Sequence, residues 1–466
     1  MDTIEALTRV NRWWISKKLD KDFLYKTIRD EFSDVVAALD RNRILSITGP
    51  RRVGKSTIIY QAISHLLENG VEQNRILLFS GDDPALFSDS KTFGDILEEY
   101  SKYILNEDFA DLKSKVYIFI DEIHTQKDWQ LWLKSYYDRK LNIKFVVSGS
   151  SVTHLFDGSK ESLLGRIENI NILPLSFLQF CRFWSVYKKL PIISEFLESL
   201  PKVNMLDGID DYFNQLKSNS WKIDNYKPYV FKVLNAYLLV GGYPEYFETD
   251  NDIQWQKRLI DDIIGLGLYR DIINVYNINN PDKLEKLLYF VAANNGQEFA
   301  YKTIGDTVGL DTTTVSNYLS FLSQTFLITV LDNYSVNAGK VIRKNKKLFV
   351  LDNGISNALL RVNKLTSTSE GHLVEKNCVK DIELIIKRNL WKVHYWREKT
   401  LEVDIVINKQ IGILPIEVKY RNNPDDISGL NAFMKKFNLS EGLVITKETL
   451  EKKEGIYYIP YWAIKF

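Results

Sequence analysis

Four short apolar runs, at residues 44–47, 76–79, 116–120 and 145–147, are separated by longer amphipathic stretches. Uninterrupted apolar runs of this length fit strands buried on both faces. Strands alternating with helices predict a parallel, doubly wound α/β domain between residue 44 and about 172. From 177 to 290 the strand signal stops, and an aromatic-rich helical pattern predicts a helical lid, interrupted by a turn at Gly241, Gly242 and Pro244. A short amphipathic helix over 301–308 follows. Gly309 can stop it, and Asp311 can cap a second helix over 312–324 that turns Val315, Leu319 and Leu322 inward. This is helix-turn-helix spacing. Two more apolar runs, 326–331 and 348–351, are joined through Asn337, Gly339 and the basic residues Arg343, Lys344, Lys346 and Lys347, which extends the pattern to a winged helix. Near the end, 401–407 and 412–420 read as two further strands.

The candidate chemistry falls at the carboxyl ends of the first strands, where sheets of this kind bind ligands. Directly after the first run, Gly49, Pro50, Arg51, Arg52, Val53, Gly54, Lys55, Ser56 and Thr57 spell a Walker A loop. The two glycines let the backbone curl, so that its N–H groups and the dipole of the next helix face the phosphates of a nucleotide. Lys55 then reaches the β and γ phosphates, and Ser56 offers Mg²⁺ a hydroxyl. The third run ends in Asp121 and Glu122, a Walker B pair: Asp121 to hold Mg²⁺, Glu122 to polarise the attacking water. The fourth leads into Ser148, a position from which a polar side chain can sense the γ phosphate, or which simply begins the Ser-rich turn to Ser151. The loop in its strand context already points to a nucleoside triphosphate, the alternative being a turn before a helix that happens to spell the motif; an apolar strand ending in acids is weak alone and strong beside it.

A second constellation lies on the last predicted strands. Residues two apart on a strand share a face, so Glu417 and Lys419 point together, and Asp404 comes from the strand before. Two carboxylates can bind Mg²⁺, or Mn²⁺ at this second site, while the lysine orients a water or steadies charge developing on a phosphate. Glu375, in the amphipathic stretch 370–386, can add a carboxylate. The order Glu, Asp, Glu-x-Lys fits a metal-dependent nuclease-type centre; the plainer alternative is a polar face of an α/β domain. On the helix-turn-helix, Thr312, Thr313, Thr314, Ser316 and Asn317 lie outward, suited to phosphates and base edges of double-stranded DNA, with Arg343, Lys344, Lys346 and Lys347 as a cationic wing. The alternative there is a module for protein contacts.

Composition narrows the picture further. A length of 466 residues predicts three or four domains. With 61 Lys and Arg against 60 Asp and Glu, net charge says nothing about nucleic acid, so only local clusters can. Cys181 and Cys378 lack metal-ligand spacing, which favours a reducing interior without zinc. Neither a membrane-spanning run nor a signal peptide is legible, so the expectation is a cytoplasmic protein with no membrane partner.

These motifs resemble the prokaryotic ATPases, abundant in archaea, that join an AAA+ domain to a C-terminal DUF4143 region. Beyond the residues above, the resemblance rests on Leu164, Gly165 and Arg166, on Leu173 to Ser176, on Gly241 to Pro244, on Arg270 and Asp271, on Leu351 to Ile355, and on Glu402 to Asp404. Asn353 stands where a threonine is usual. The resemblance implies a P-loop AAA+ core, a helical lid, a winged helix and a C-terminal domain similar to PD-(D/E)xK nucleases, a restriction-endonuclease-like α/β fold. It also implies that Arg166 acts as a sensor or finger arginine on the γ phosphate. The expected organisation is an N-terminal helical segment over 1–40, the ATPase core over 41–176, the lid over 177–290, the winged helix over 291–347 and the nuclease-like domain over 348–466. The expected activity is Mg²⁺-dependent ATP hydrolysis coupled to DNA binding and nuclease-like chemistry, with ATP, ADP, double-stranded DNA and further copies of the chain as partners. A nucleotide switch whose C-terminal domains bind a protein partner is the alternative.

Overall fold

A computed structural model describes residues 2–23, 25–87, 91–149, 163–249, 251–273, 278, 280–336, 345–409, 412–421 and 426–466. The apolar runs become β1 (Ile44–Thr48), β2 (Ile76–Ser80), β3 (Val116–Asp121) and β4 (Ile143–Gly149), almost wholly buried. They form a parallel sheet in the order β2-β3-β4-β1-β5. The fifth strand, β5 (Ile167–Asn171), was not legible: among the described residues it pairs with β1 alone, and this edge position lets it carry Glu168, Asn169 and Asn171 among its five residues. Helix α1 (Lys55–Glu68) leaves the Walker loop, and α2 (Trp129–Asp138) lies between β3 and β4 in the chain.

The first forty residues are not a separate segment. The Asn11 amide donates to Leu78 O at 2.8 Å and accepts the Leu78 N–H at 2.7 Å, and the indoles of Trp13 and Trp14 both donate to Ile76 O. Side chains of the amino-terminal helices thereby satisfy the open edge of β2. The compact unit they join spans Met1–Ile172, and a second spans Leu173–Phe466.

In the second unit the expected lid packs on the end of the chain. Within it are α3 (Phe177–Tyr187) and α4 (Lys227–Val240). Phe177 lies 5.6 Å from the Tyr237 ring and 6.0 Å from Tyr461, and the Tyr212 hydroxyl donates to Ala463 O at 2.6 Å. Next come α5 (Pro281–Ala293), β6 (Glu298–Phe299), α6 (Tyr301–Val308), α7 (Thr312–Gln324), β7 (Ile328–Asn333) and β8 (Lys346–Val350). The remainder is α8 (Asn353–Leu359), α9 (Ser367–Asn389), β9 (Lys392–Glu398), β10 (Leu401–Asn408), β11 (Ile413–Lys419), α10 (Ser428–Phe437), β12 (Gly442–Thr446), β13 (Glu451–Lys453) and β14 (Ile456–Pro460).

The boundary expected at 347/348 runs through a single sheet. Nine strands pair in the order β13-β14-β12-β11-β10-β9-β7-β8-β6, because β7 runs parallel to β9 at Asp332–His394 and Asn333–Tyr395. The two strands of the expected wing therefore continue the sheet that carries Asp404 and Glu417. Arg343, Lys344, Asn337 and Gly339 lie outside the described residues, as do the side chains of Arg270 and Asp271.

Three motif segments interlock in this unit. Gly241 has φ +80°, and a Cβ there would meet Asp352 Oδ1 at 2.1 Å; one on Gly242 would meet Leu175 O at 2.4 Å. The Gly242 N–H donates to Asp352 Oδ2 at 2.8 Å, while Asp352 Oδ1 caps α8 by accepting from Gly354. Lys380 and Tyr237 both donate to Leu175 O, at 2.6 and 2.8 Å. Side chains at either glycine would break this contact.

Candidate nucleotide site and a second charged centre

Gly49 closes against the residue that follows β5: a Cβ there would meet Ile172 O at 2.0 Å. Arg52 (φ +63°) and Gly54 (φ +96°) adopt left-handed backbone, which curls the loop into the N-terminus of α1. Pro50, Arg51, Val53 and Thr57 complete that segment. Lys55 is buried, and its ammonium donates to Gly49 O at 2.9 Å and Pro50 O at 3.0 Å, which holds it inside the curl.

Because β4 lies between β1 and β3, Ser148 stands between the two Walker strands. Its hydroxyl donates to Asp121 Oδ1 and accepts the Glu122 N–H at 3.3 Å. Asp121 Oδ2 accepts from Ser56 at 2.6 Å. A hydroxyl and a carboxylate facing each other beside a phosphate-binding loop fit a hydrated Mg²⁺. Glu122 follows in left-handed backbone (φ +48°), with Oε2 3.4 Å from His124 Nδ1. His124 belongs to no motif, so nothing in the pattern marked it.

Another pair also escaped the sequence. Arg29 and Glu31 form a buried ion pair at 3.2 Å, and Arg29 Nη1 donates to Val53 O at 2.8 Å, propping the loop from behind.

Arg166 stands apart from the loop of its own chain. It lies at the amino end of β5, where its carbonyl accepts from Ile44 at the start of β1, and its guanidinium pairs with Asp138 at 2.7 Å. The Walker loop is at the other end of β1, about 16 Å away for five strand residues. Within its own chain, Arg166 does not face the γ phosphate.

In the second unit β10 and β11 pair antiparallel, with Ile405 opposite Ile416, so Asp404 and Glu417 are neighbours one step along. Against β9 the register of β10 shifts between Val403 and Val406, and this irregularity holds Asp404. Asp404 Oδ2 accepts the Val418 N–H at 2.8 Å. Lys419 lies 2.6 Å from Glu417 Oε1. Burial and the neighbouring Asp404 charge push the Glu417 carboxyl up to about 8, against the pull of Lys419. Glu375 on α9 is likewise raised by burial, eased by Lys347.

Lys347 is a correction. Instead of facing solvent on a wing, it is buried, with its ammonium 2.6 Å from Glu402, 3.1 Å from Glu375 and 3.8 Å from Asp404. Burial pulls its pKa down, but the carboxylates of Glu375 and Asp404 outweigh that and hold it above the ordinary lysine range. Lys346, next along β8, pairs with Asp332. Glu402, which carried no role in the sequence reading, completes the cluster and also pairs with Arg397. Among the described residues, no three acidic, imidazole or thiol groups converge closely enough to hold a metal on their own. Asp404 and Glu417 together still fit one, since Glu417 Oε2 is buried without a hydrogen-bond partner.

On α7, Thr312, Thr313 and Asn317 are exposed, whereas Thr314 and Ser316 are half-buried. The Thr314 hydroxyl is engaged by the Asp311 cap.

Comparison with known proteins gives three family matches: an AAA domain over residues 41–181, a domain of unknown function (DUF8612) over 232–366, and DUF4143 over 370–464. Uncharacterised proteins align along most of the chain. One from Methanocaldococcus jannaschii is 26% identical, covering 98% of this chain and 90% of its own. One from Haemophilus influenzae is 23% identical, covering 91% and 95%. Among solved structures, AMPPCP-bound DnaA from Aquifex aeolicus is similar at 16% identity and TM-score 0.27, covering 66% of this chain and 92% of that one. The Hsp104–casein complex of S. cerevisiae is similar at 19% identity and TM-score 0.28, covering 47% and 42%. Among the described residues no helix is long and apolar enough to cross a membrane.

Proposed function

The chain carries an AAA domain and a C-terminal DUF4143 region, and from that premise we propose an Mg²⁺-dependent ATPase whose nucleotide state controls a DNA-binding winged helix and a nuclease-like centre. The observation that carries the ATPase reading is the meeting of Ser56, Asp121, Ser148 and Glu122 beside the Walker loop. Lys55 and the loop N–H groups bind the phosphates, Ser56 and Asp121 would hold the metal, and Glu122 draws a proton from the attacking water. A cation held there would neutralise charge developing on the transferred phosphate.

The second centre supports phosphodiester chemistry through the facing Asp404 and Glu417 and the adjacent Lys419. Asp404 and Glu417 would hold Mg²⁺ or Mn²⁺, and Lys419 would orient a water. DNA would meet the exposed Thr312, Thr313 and Asn317 and the basic residues Arg343 and Lys344. Assembly of several copies remains part of this reading. The engagement of Glu375, Glu402 and Asp404 by Lys347 favours a second reading, a nucleotide switch that binds a protein partner and does not cut. Incubating the purified chain with linear and circular DNA, with Mg²⁺ or Mn²⁺ and with or without ATP, separates them. Cleavage above an Asp404→Ala background supports the nuclease; none in any condition leaves the switch.

A further inference from the structure

Lys347 stands on β8, where the sequence places a solvent-facing wing, yet its side chain is only 4% exposed. A buried ammonium is costly to desolvate and persists only where acceptors surround it. Here they are Glu402, Glu375 and Asp404, at 2.6, 3.1 and 3.8 Å. Several carboxylates around one cation is also the environment a divalent, oxygen-preferring ion seeks. Beside them Glu417 is 5% exposed, with Oε1 on Lys419 and Oε2 without a hydrogen-bond partner. The centre thus has a buried carboxylate oxygen still to satisfy and a buried ammonium, that of Lys347, already in place.

We propose that Lys347 is the resident counter-ion of this centre, anchored by Glu375 and Glu402 and competing with a divalent cation for Asp404, so that metal loading requires the ammonium to give way. The inference rests on reading Asp404 and Glu417 as metal ligands. It makes Lys347 a positioning residue that sets metal affinity. Arginine at 347 keeps the charge and the competition, whereas methionine removes both at similar length.

The test is Mn²⁺ binding by electron paramagnetic resonance on the full, nucleotide-free chain, with the Asp404→Asn variant as background. Lys347→Met is expected to bind Mn²⁺ about tenfold more tightly than wild type, and Lys347→Arg no more tightly. The thermal midpoint of Lys347→Met should fall without metal and recover with Mn²⁺, which loss of a merely structural lysine would not produce. Should that variant fail to fold, Lys347→Met combined with Glu402→Gln removes one charge of each sign and carries the same comparison. Equal Mn²⁺ affinity in wild type and in the folded variant overturns the competition while leaving the metal site standing. Absence of Mn²⁺ binding above background in every folded variant overturns the competition and the metal reading together.

Discussion

Individual side chains show where charge has been placed against the ordinary preference for water. Lys376, on α9, is fully buried near Asp352, and burial depresses its pKa to about 7. The unfolded chain, with lysine near 10.5, binds that proton more readily between the two values, so this residue makes stability rise as pH increases through about 7 to 10. Below about pH 7 the cost is fully present, of order 5 kcal/mol at 1.36 kcal/mol per unit of pKa. Lys376→Met is therefore expected to stabilise the protein most at pH 6 and to lose the rise toward pH 10. Denaturant midpoints across that range check it, and parallel curves for the two proteins would contradict it. Gly241 offers a second residue-scale test: at φ +80° with Asp352 against it, Gly241→Ala should lower the thermal midpoint by several degrees. An unchanged midpoint would show that α8 can shift to make room.

At the scale of elements, the sequence was legible where one strand carries one role. β1, β3 and β4 end in the Walker loop, in Asp121 and Glu122, and in Ser148, and apolar runs ending in those residues could be read directly. The pairing of Glu417 with Lys419 followed from the period of two. Lys347 could not be read this way. It sits in a basic cluster, and whether a lysine points to water or to buried carboxylates depends on β8 joining the same sheet as β10, a long-range pairing that local pattern does not encode. Arg29 was hidden likewise, its partner being a loop carbonyl. For the β10–β11 pair, Asp404→Ala should weaken Mn²⁺ binding and abolish any DNA cleavage. Lys419→Ala should spare metal affinity and slow only the chemical step. Equal loss of metal binding in both variants would reject the division of roles between carboxylate and lysine.

For the whole molecule, the two compact units place the nucleotide residues in Met1–Ile172 and the second centre in Leu173–Phe466. Changes at Asp404 should accordingly leave ATP hydrolysis largely intact. The most direct test of the account is steady-state Mg²⁺-ATP turnover, with ATP affinity measured in parallel, for wild type, Lys55→Ala and Glu122→Gln. Lys55→Ala should lose affinity with the phosphate charge. Glu122→Gln should bind ATP as wild type does and lose turnover by about 100-fold or more, since only the base is gone. Unchanged turnover in both variants would contradict the assignment of this site as an ATPase.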